Sequence, residues 1–121
     1  MIAMVIMWKY IDKRSAAIAV IRDFENMQFI LENTPDYLPD DDIMKNRYIQ
    51  ARDYMDWFLP AWDRLNEEDR LILELFYGSK NTYKSSIVHQ LADQLYIEPT
   101  TVYKRKNRAI DKLTILLFGE K

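Results

Sequence analysis

Six side chains near the C-terminus, Thr100, Thr101, Tyr103, Lys104, Asn107 and Arg108, combine the groups that read DNA base edges. Lysine and arginine donate to guanine or to phosphate, asparagine bonds adenine in a bidentate way, and threonine offers a methyl and a hydroxyl. Their spacing fits one helix. At about 100° per residue, Thr100, Lys104 and Asn107 fall within roughly 40° of the point opposite Val102. Tyr103, Arg108 and Thr101 flank that face, whereas Val102, Ala109, Leu113 and Leu116 form the expected buried stripe. The bland alternative is that KRKNR (104–108) is a solvated helix face, and the elements around it decide between the two.

No other set of residues suggests chemistry. His89 is the only histidine and there is no cysteine, which excludes His pairs, thiolate metal sites, disulfides and cysteine nucleophiles. Gly78 and Gly119 are the only glycines, so no glycine-rich loop can cradle a phosphate. The consecutive carboxylates Glu67 and Glu68, and likewise Asp40, Asp41 and Asp42, stand where helices should start, and the positive end of the helix dipole accounts for them. The aspartate run also lacks the alternation, the glycine and the closing glutamate of a calcium loop. The expectation is a protein with no enzymatic activity, no metal and no cofactor.

The reading face needs a scaffold, and the apolar periodicity supplies a helical one. Ala17, Ile21, Phe24, Gln28 and Leu31, with Ile18 and Met27 beside them, predict a helix from Ser15 to Asn33, ended by Thr34-Pro35. Trp8 and Ile11 fall in phase upstream, so this helix can begin near Trp8. A second helix carries Met44, Tyr48, Ala51, Met55, Phe58, Trp62 and Leu65 at alternating spacings of four and three, a heptad-like seam. Pro60 should end that helix near Leu59 or restart it as a kinked turn.

Asn66 is placed to cap a third helix, with Leu71, Ile72, Leu75 and Phe76 inward and Gly78 as a left-handed terminator. Ser85 or Ser86 should cap a fourth, with Val88, Leu91, Ala92 and Leu95 inward. After the turn Tyr96-Ile97-Glu98, Pro99 begins the last helix, which runs to about Phe118. No strand pattern appears, so the fold class is all-α.

Two helices joined by a three-residue turn, the second polar on one face, is the layout of a helix-turn-helix. Ala92 suits the close approach of the two helices, and Ile97 and Val102 should plug the angle between them. Charge placement agrees. The chain carries a net charge of −2, which taken whole speaks against nucleic acid. Residues 1–78 hold 9 basic and 15 acidic residues, residues 79–121 hold 8 basic and 4 acidic, so the positive charge collects on the reading segment. Lys80, Lys84 and Lys106, with Lys112, can add phosphate contacts that position without specifying sequence.

Residues 61–113 then resemble a known family. AWDRLNEEDRLILELFYG followed by LADQLYIEPTTVYKRKNRAIDKL is similar to region four of bacterial RNA polymerase sigma factors. The shared features are the Leu65-x-x-x-x-Arg70 opening, the Tyr77-Gly78 ending, Leu91-Ala92 ahead of Leu95-x-Ile97, and the apolar spacing of Val102, Ala109, Ile110 and Leu113. A short acidic helical segment ahead of such a unit resembles the small phage and prophage regulators of the ArpU and RinA type. That resemblance implies control of late phage genes.

The sequence departs from sigma factors at Glu98, where a serine cap is usual, at Pro99-Thr100, and at Arg105, which occupies an apolar position. The chain also has no room for a promoter-melting region, so a complete sigma factor is not expected.

Two units are therefore expected: residues 1–60, an acidic helical hairpin for oligomerisation or partner binding, and residues 61–121, a helix-turn-helix DNA-binding domain. The expected partner is double-stranded DNA. RNA polymerase is a second candidate partner, and a homodimer through the heptad-like seam is compatible with either. The rival function is a protein-interaction module that docks on RNA polymerase or a partner helix with little specific DNA binding. The apolar run of residues 1–8 is too short to span a bilayer and lacks the basic residues that open a signal peptide. No membrane association and a cytoplasmic location, in a bacterial cell or phage-infected host, are expected.

Overall fold

Asp12 starts the first helix: its carboxylate accepts from the backbone N–H groups of Arg14 and Ser15, and from the Ser15 hydroxyl at 2.9 Å. These bonds to the ionised form hold the Asp12 carboxyl below the usual carboxylate range, the Ser15 hydroxyl contributing most. The computed structural model describes residues 12–33, 42–78 and 84–119. Five helices lie within them: α1 (Lys13–Glu32), α2 (Asp42–Asp63), α3 (Glu67–Tyr77), α4 (Lys84–Leu95) and α5 (Pro99–Phe118). Among the described residues there is no strand, and no helix is long and apolar enough to cross a membrane. Trp8, Ile11, Asp40, Asp41 and Lys80 lie outside the described residues.

α1 and α2 pair as the expected hairpin. The Tyr54 hydroxyl of α2 donates to the Val20 carbonyl of α1, and Phe24 lies against Phe58 and Trp62 with ring centroids 5.3 and 6.3 Å apart. Burial pushes the Tyr54 hydroxyl well above the ordinary tyrosine range, and the nearby Asp23 carboxylate adds to the shift.

The seam residues Ala51, Met55, Phe58, Trp62 and Leu65 are all buried. Phe58, Trp62 and Leu65 belong to this chain's own apolar core. Only the N-terminal end of the pattern, at Met44, lies open. On α1 the buried residues are Ala17, Val20 and Ile21, all in its first half, while Gln28 is exposed.

Pro60 does not divide α2. The helix runs on to Asp63 with Pro60 inside it. Proline is exposed there and stands in the last turn, so the one amide bond it removes has little helix beyond it to disrupt. The helix then tightens, with Arg64 N–H bonding Ala61 O and Leu65 N–H bonding Trp62 O. Arg70 of α3 reaches back to this end, donating from Nη1 to the Leu65 carbonyl at 2.8 Å. That contact gives the Leu65-x-x-x-x-Arg70 spacing a physical role: the guanidinium satisfies the Leu65 carbonyl in the turn between α2 and α3, and the Asp63 carbonyl at the end of α2 lies 3.4 Å from the same nitrogen.

Asn66 caps α3 as its sequence suggests, accepting from Asp69 N–H at 2.8 Å. The inward face is rotated from the one expected, with Ile72, Leu73, Phe76 and Tyr77 buried and Leu71 and Leu75 partly so. Gly78 is not a left-handed terminator: its φ of −67° and ψ of 174° are extended. What selects glycine is proximity, since a Cβ there would collide with the Glu74 carbonyl oxygen that Gly78 N–H bonds. At the next helix, Ser85 and Ser86 are first-turn residues and not the cap, because α4 already begins at Lys84.

α5 is the axis of the fold and touches all four other helices. Val102, Ala109, Ile110, Leu113 and Thr114 are fully buried and Leu117 nearly so, a wider arc than the expected stripe, from which Leu116 drops to partial burial. The extra arc exists because α1 and α2 pack on α5 as well as α3 and α4. Thr114 is the buried polar residue of that arc, and its hydroxyl donates to the Ile110 carbonyl at 2.6 Å. One continuous apolar core runs from Ala17 on α1 to Leu117 on α5, crossing residue 60 without a break.

Candidate nucleic-acid interface

The two elements that carry the candidate site are α4 and α5, separated by residues 96–98. Tyr96 takes a left-handed conformation, φ 55°, and Ile97 N–H then reaches back to the Ala92 carbonyl at 3.0 Å, closing α4. Ile97 is partly buried against the core and Val102 is fully buried, so both plug the corner as expected. Glu98 occupies the N-cap of α5 without a side-chain capping bond, and Pro99 sits in the first turn, where its missing N–H costs nothing.

From this corner the first turns of α5 project outward. Thr100, Lys104, Asn107 and Arg108 are exposed, and Thr101 is half-buried beside the turn. These residues share the solvent side of α5 opposite Val102 and Ala109. Tyr103 is 43% exposed, but its ring meets the edge of Phe76 on α3 at 6.2 Å. Lys106 lies with it, its Nζ 5.2 Å from the Phe76 ring centroid and 5.5 Å from that of Tyr103. Tyr103 and Lys106 thus form a flank shared with α3, to one side of the Thr100–Lys104–Asn107 line. Lys84 is the first residue of α4.

Two residues that sequence reasoning did not assign to the site shape it. Arg105 points away from the exposed face and pairs with Glu68 at 2.7 Å, tying α5 to the first turn of α3. Arg14, from the first turn of α1, reaches the exposed face itself. Its Nη2 donates to Asn107 Oδ1 at 2.8 Å, and its Nε stands 3.8 Å from Asp111 Oδ1. Asn107 and Asp111 are one helical turn apart, so a single guanidinium bridges them. Nothing local in the sequence announces this pairing between residues 93 positions apart.

The face accordingly presents Lys104, Arg108 and Lys112 as exposed cations, and the acidic group in line with them, Asp111, lies beside Arg14. His89 lies exposed on α4. Among the described residues, no three His, Asp or Glu side chains are placed to hold a metal ion together. In comparisons with known proteins no family model matches the chain, and no curated protein or solved structure matches it either.

Proposed function

We propose that this chain is a sequence-specific DNA-binding regulator of transcription that sets the N-terminal half of α5 in the major groove. The observation that carries the reading is the exposed line Thr100, Lys104, Asn107 and Arg108, presented on the second helix of a pair joined by a three-residue turn. Solvation of an amphipathic helix also sets polar residues opposite Val102 and Ala109, so what favours groove reading is the preceding helix and the three-residue turn that present this face. In this reading Thr101 and Tyr103 border the base-facing line, and Lys80, Lys84, Lys106 and Lys112 serve the phosphates. The likeness of residues 61–113 to sigma region four supports the same role, and late-gene control in a phage or prophage is the setting that likeness suggests.

The interaction-module reading draws on a different feature. Tyr96 is 95% exposed in its left-handed turn, beside a shallow groove lined by Asp93, Ile97, Glu98 and Thr101. An aromatic ring held out among carboxylates suits contact with a basic protein segment such as a polymerase surface.

Selection from random duplex DNA separates the two. The DNA-reading account predicts enrichment of a short motif of about 4–6 base pairs per recognition helix. Recovery of a random pool would overturn it in favour of the interaction module.

A further inference from the structure

The contact between Arg14 and Asn107 is built rather than incidental. Asp12 fixes the first turn of α1 through the N–H groups of Arg14 and Ser15, and one turn later Ala17 is fully buried in the core. Arg14 therefore leaves a turn that is held at both ends. Its guanidinium then meets two groups of α5, the Asn107 amide and the Asp111 carboxylate.

Arginine has donors and no acceptor, so the Asn107 atom that faces it must be the amide oxygen. The amide nitrogen with its two N–H groups is turned the other way. Bidentate reading of adenine needs both halves of the amide, oxygen to accept from N6 and nitrogen to donate to N7. Arg14 takes one of the two lone pairs of the oxygen and draws the amide towards itself, so the N–H groups are the more available edge of Asn107. The matching base edge in the major groove carries acceptors alone, and guanine, with N7 and O6, is that base.

Resting on the DNA-binding reading above, we infer that Arg14 is a specificity-determining positioning residue, which sets Asn107 to prefer guanine over adenine at one base pair. Its second contact also offsets the charge of Asp111, a carboxylate that repels phosphates. The N-terminal hairpin thus contributes to sequence reading through one side chain.

The test uses the full chain and duplexes of the motif that the wild type selects, with each base pair varied in turn. Asn107→Ala identifies the base pair at which discrimination depends on the amide. At that pair the wild type should favour guanine, and Arg14→Met, which keeps the methylene stem but no donor, should move the ratio of adenine to guanine binding roughly tenfold towards adenine. Arg14→Ala should do the same, which guards against a packing effect of methionine.

A change confined to that base pair supports the inference whether or not overall affinity falls. Identical base ranking in the Arg14 variants, with or without a uniform loss of affinity, overturns it. So does an Asn107→Ala variant that alters no single position. Failure of the underlying DNA reading is separately visible, because the wild type alone would then select no motif.

Discussion

Asn107 and Arg14 show how residue type alone underdetermines a role. The sequence suggests Asn107 as a candidate base-reading amide, and its oxygen accepts from a guanidinium at the other end of the chain. Tyr54 is a second case. Its spacing marks no special role, since it falls outside the seam, yet its hydroxyl donates to Val20 O and its ring joins Trp57 and Phe58. The consequence is a pH dependence with a defined sign. Tyr54 holds its proton in the folded state beyond the pH at which an unfolded tyrosine, with a pKa near 10, loses it. Its contribution is complete below about pH 10 and is lost progressively above that value, because only the unfolded chain then gains by ionising. Tyr54→Phe should cost about 1 kcal/mol at neutral pH through the missing hydrogen bond. In alkaline thermal melts it should lose less stability between about pH 9 and 11 than the wild type. Parallel alkaline limbs would contradict this account of Tyr54.

The helices were largely legible because apolar period, caps and prolines agree at most positions. Asn66, Pro99 and the Ala51–Leu65 seam illustrate this. Where they failed, a tertiary or backbone fact intervened. Pro60 is tolerated because it is exposed near a helix end, and Gly78 is required by proximity to Glu74 O and not by its dihedral angles. Conversely, among the described residues the non-glycine residue in the left-handed region is Tyr96, a type that gives no hint of that conformation. A Cβ at φ 55° costs roughly 1–2 kcal/mol, and an almost fully exposed ring recovers little of it. Tyr96→Gly should therefore raise stability by up to about 1 kcal/mol after the entropy of the unfolded glycine is counted, while Tyr96→Ala should not. Chemical denaturation of both variants measures the difference. Equal stability of the two would show that the turn carries no such strain.

Across the whole molecule, α5 serves as both core axis and candidate reader. Its buried arc, Val102 through Leu117, is enclosed by the other helices, and its first turns remain open on one side. Periodicity found the open face because that face is polar. It missed the full width of the buried arc, which includes Thr114, because nothing in α5 itself reports that α1 and α2 pack against it. The net charge of −2 is similarly a poor guide, since the acidic N-terminal part and the basic C-terminal part offset each other in the sum. Placement decides the electrostatics: Lys104, Arg108 and Lys112 are exposed, Arg105 is tied to Glu68, and Arg14 lies beside Asp111. Affinity for duplex DNA as a function of salt, for the wild type and for Lys104→Ala/Arg108→Ala, tests the central claim most directly. The account predicts that the double variant binds at least tenfold more weakly at moderate salt. It also predicts a shallower slope of log affinity against log salt, by about 0.9 for each phosphate that the variant no longer neutralises. Unchanged affinity and slope would contradict it.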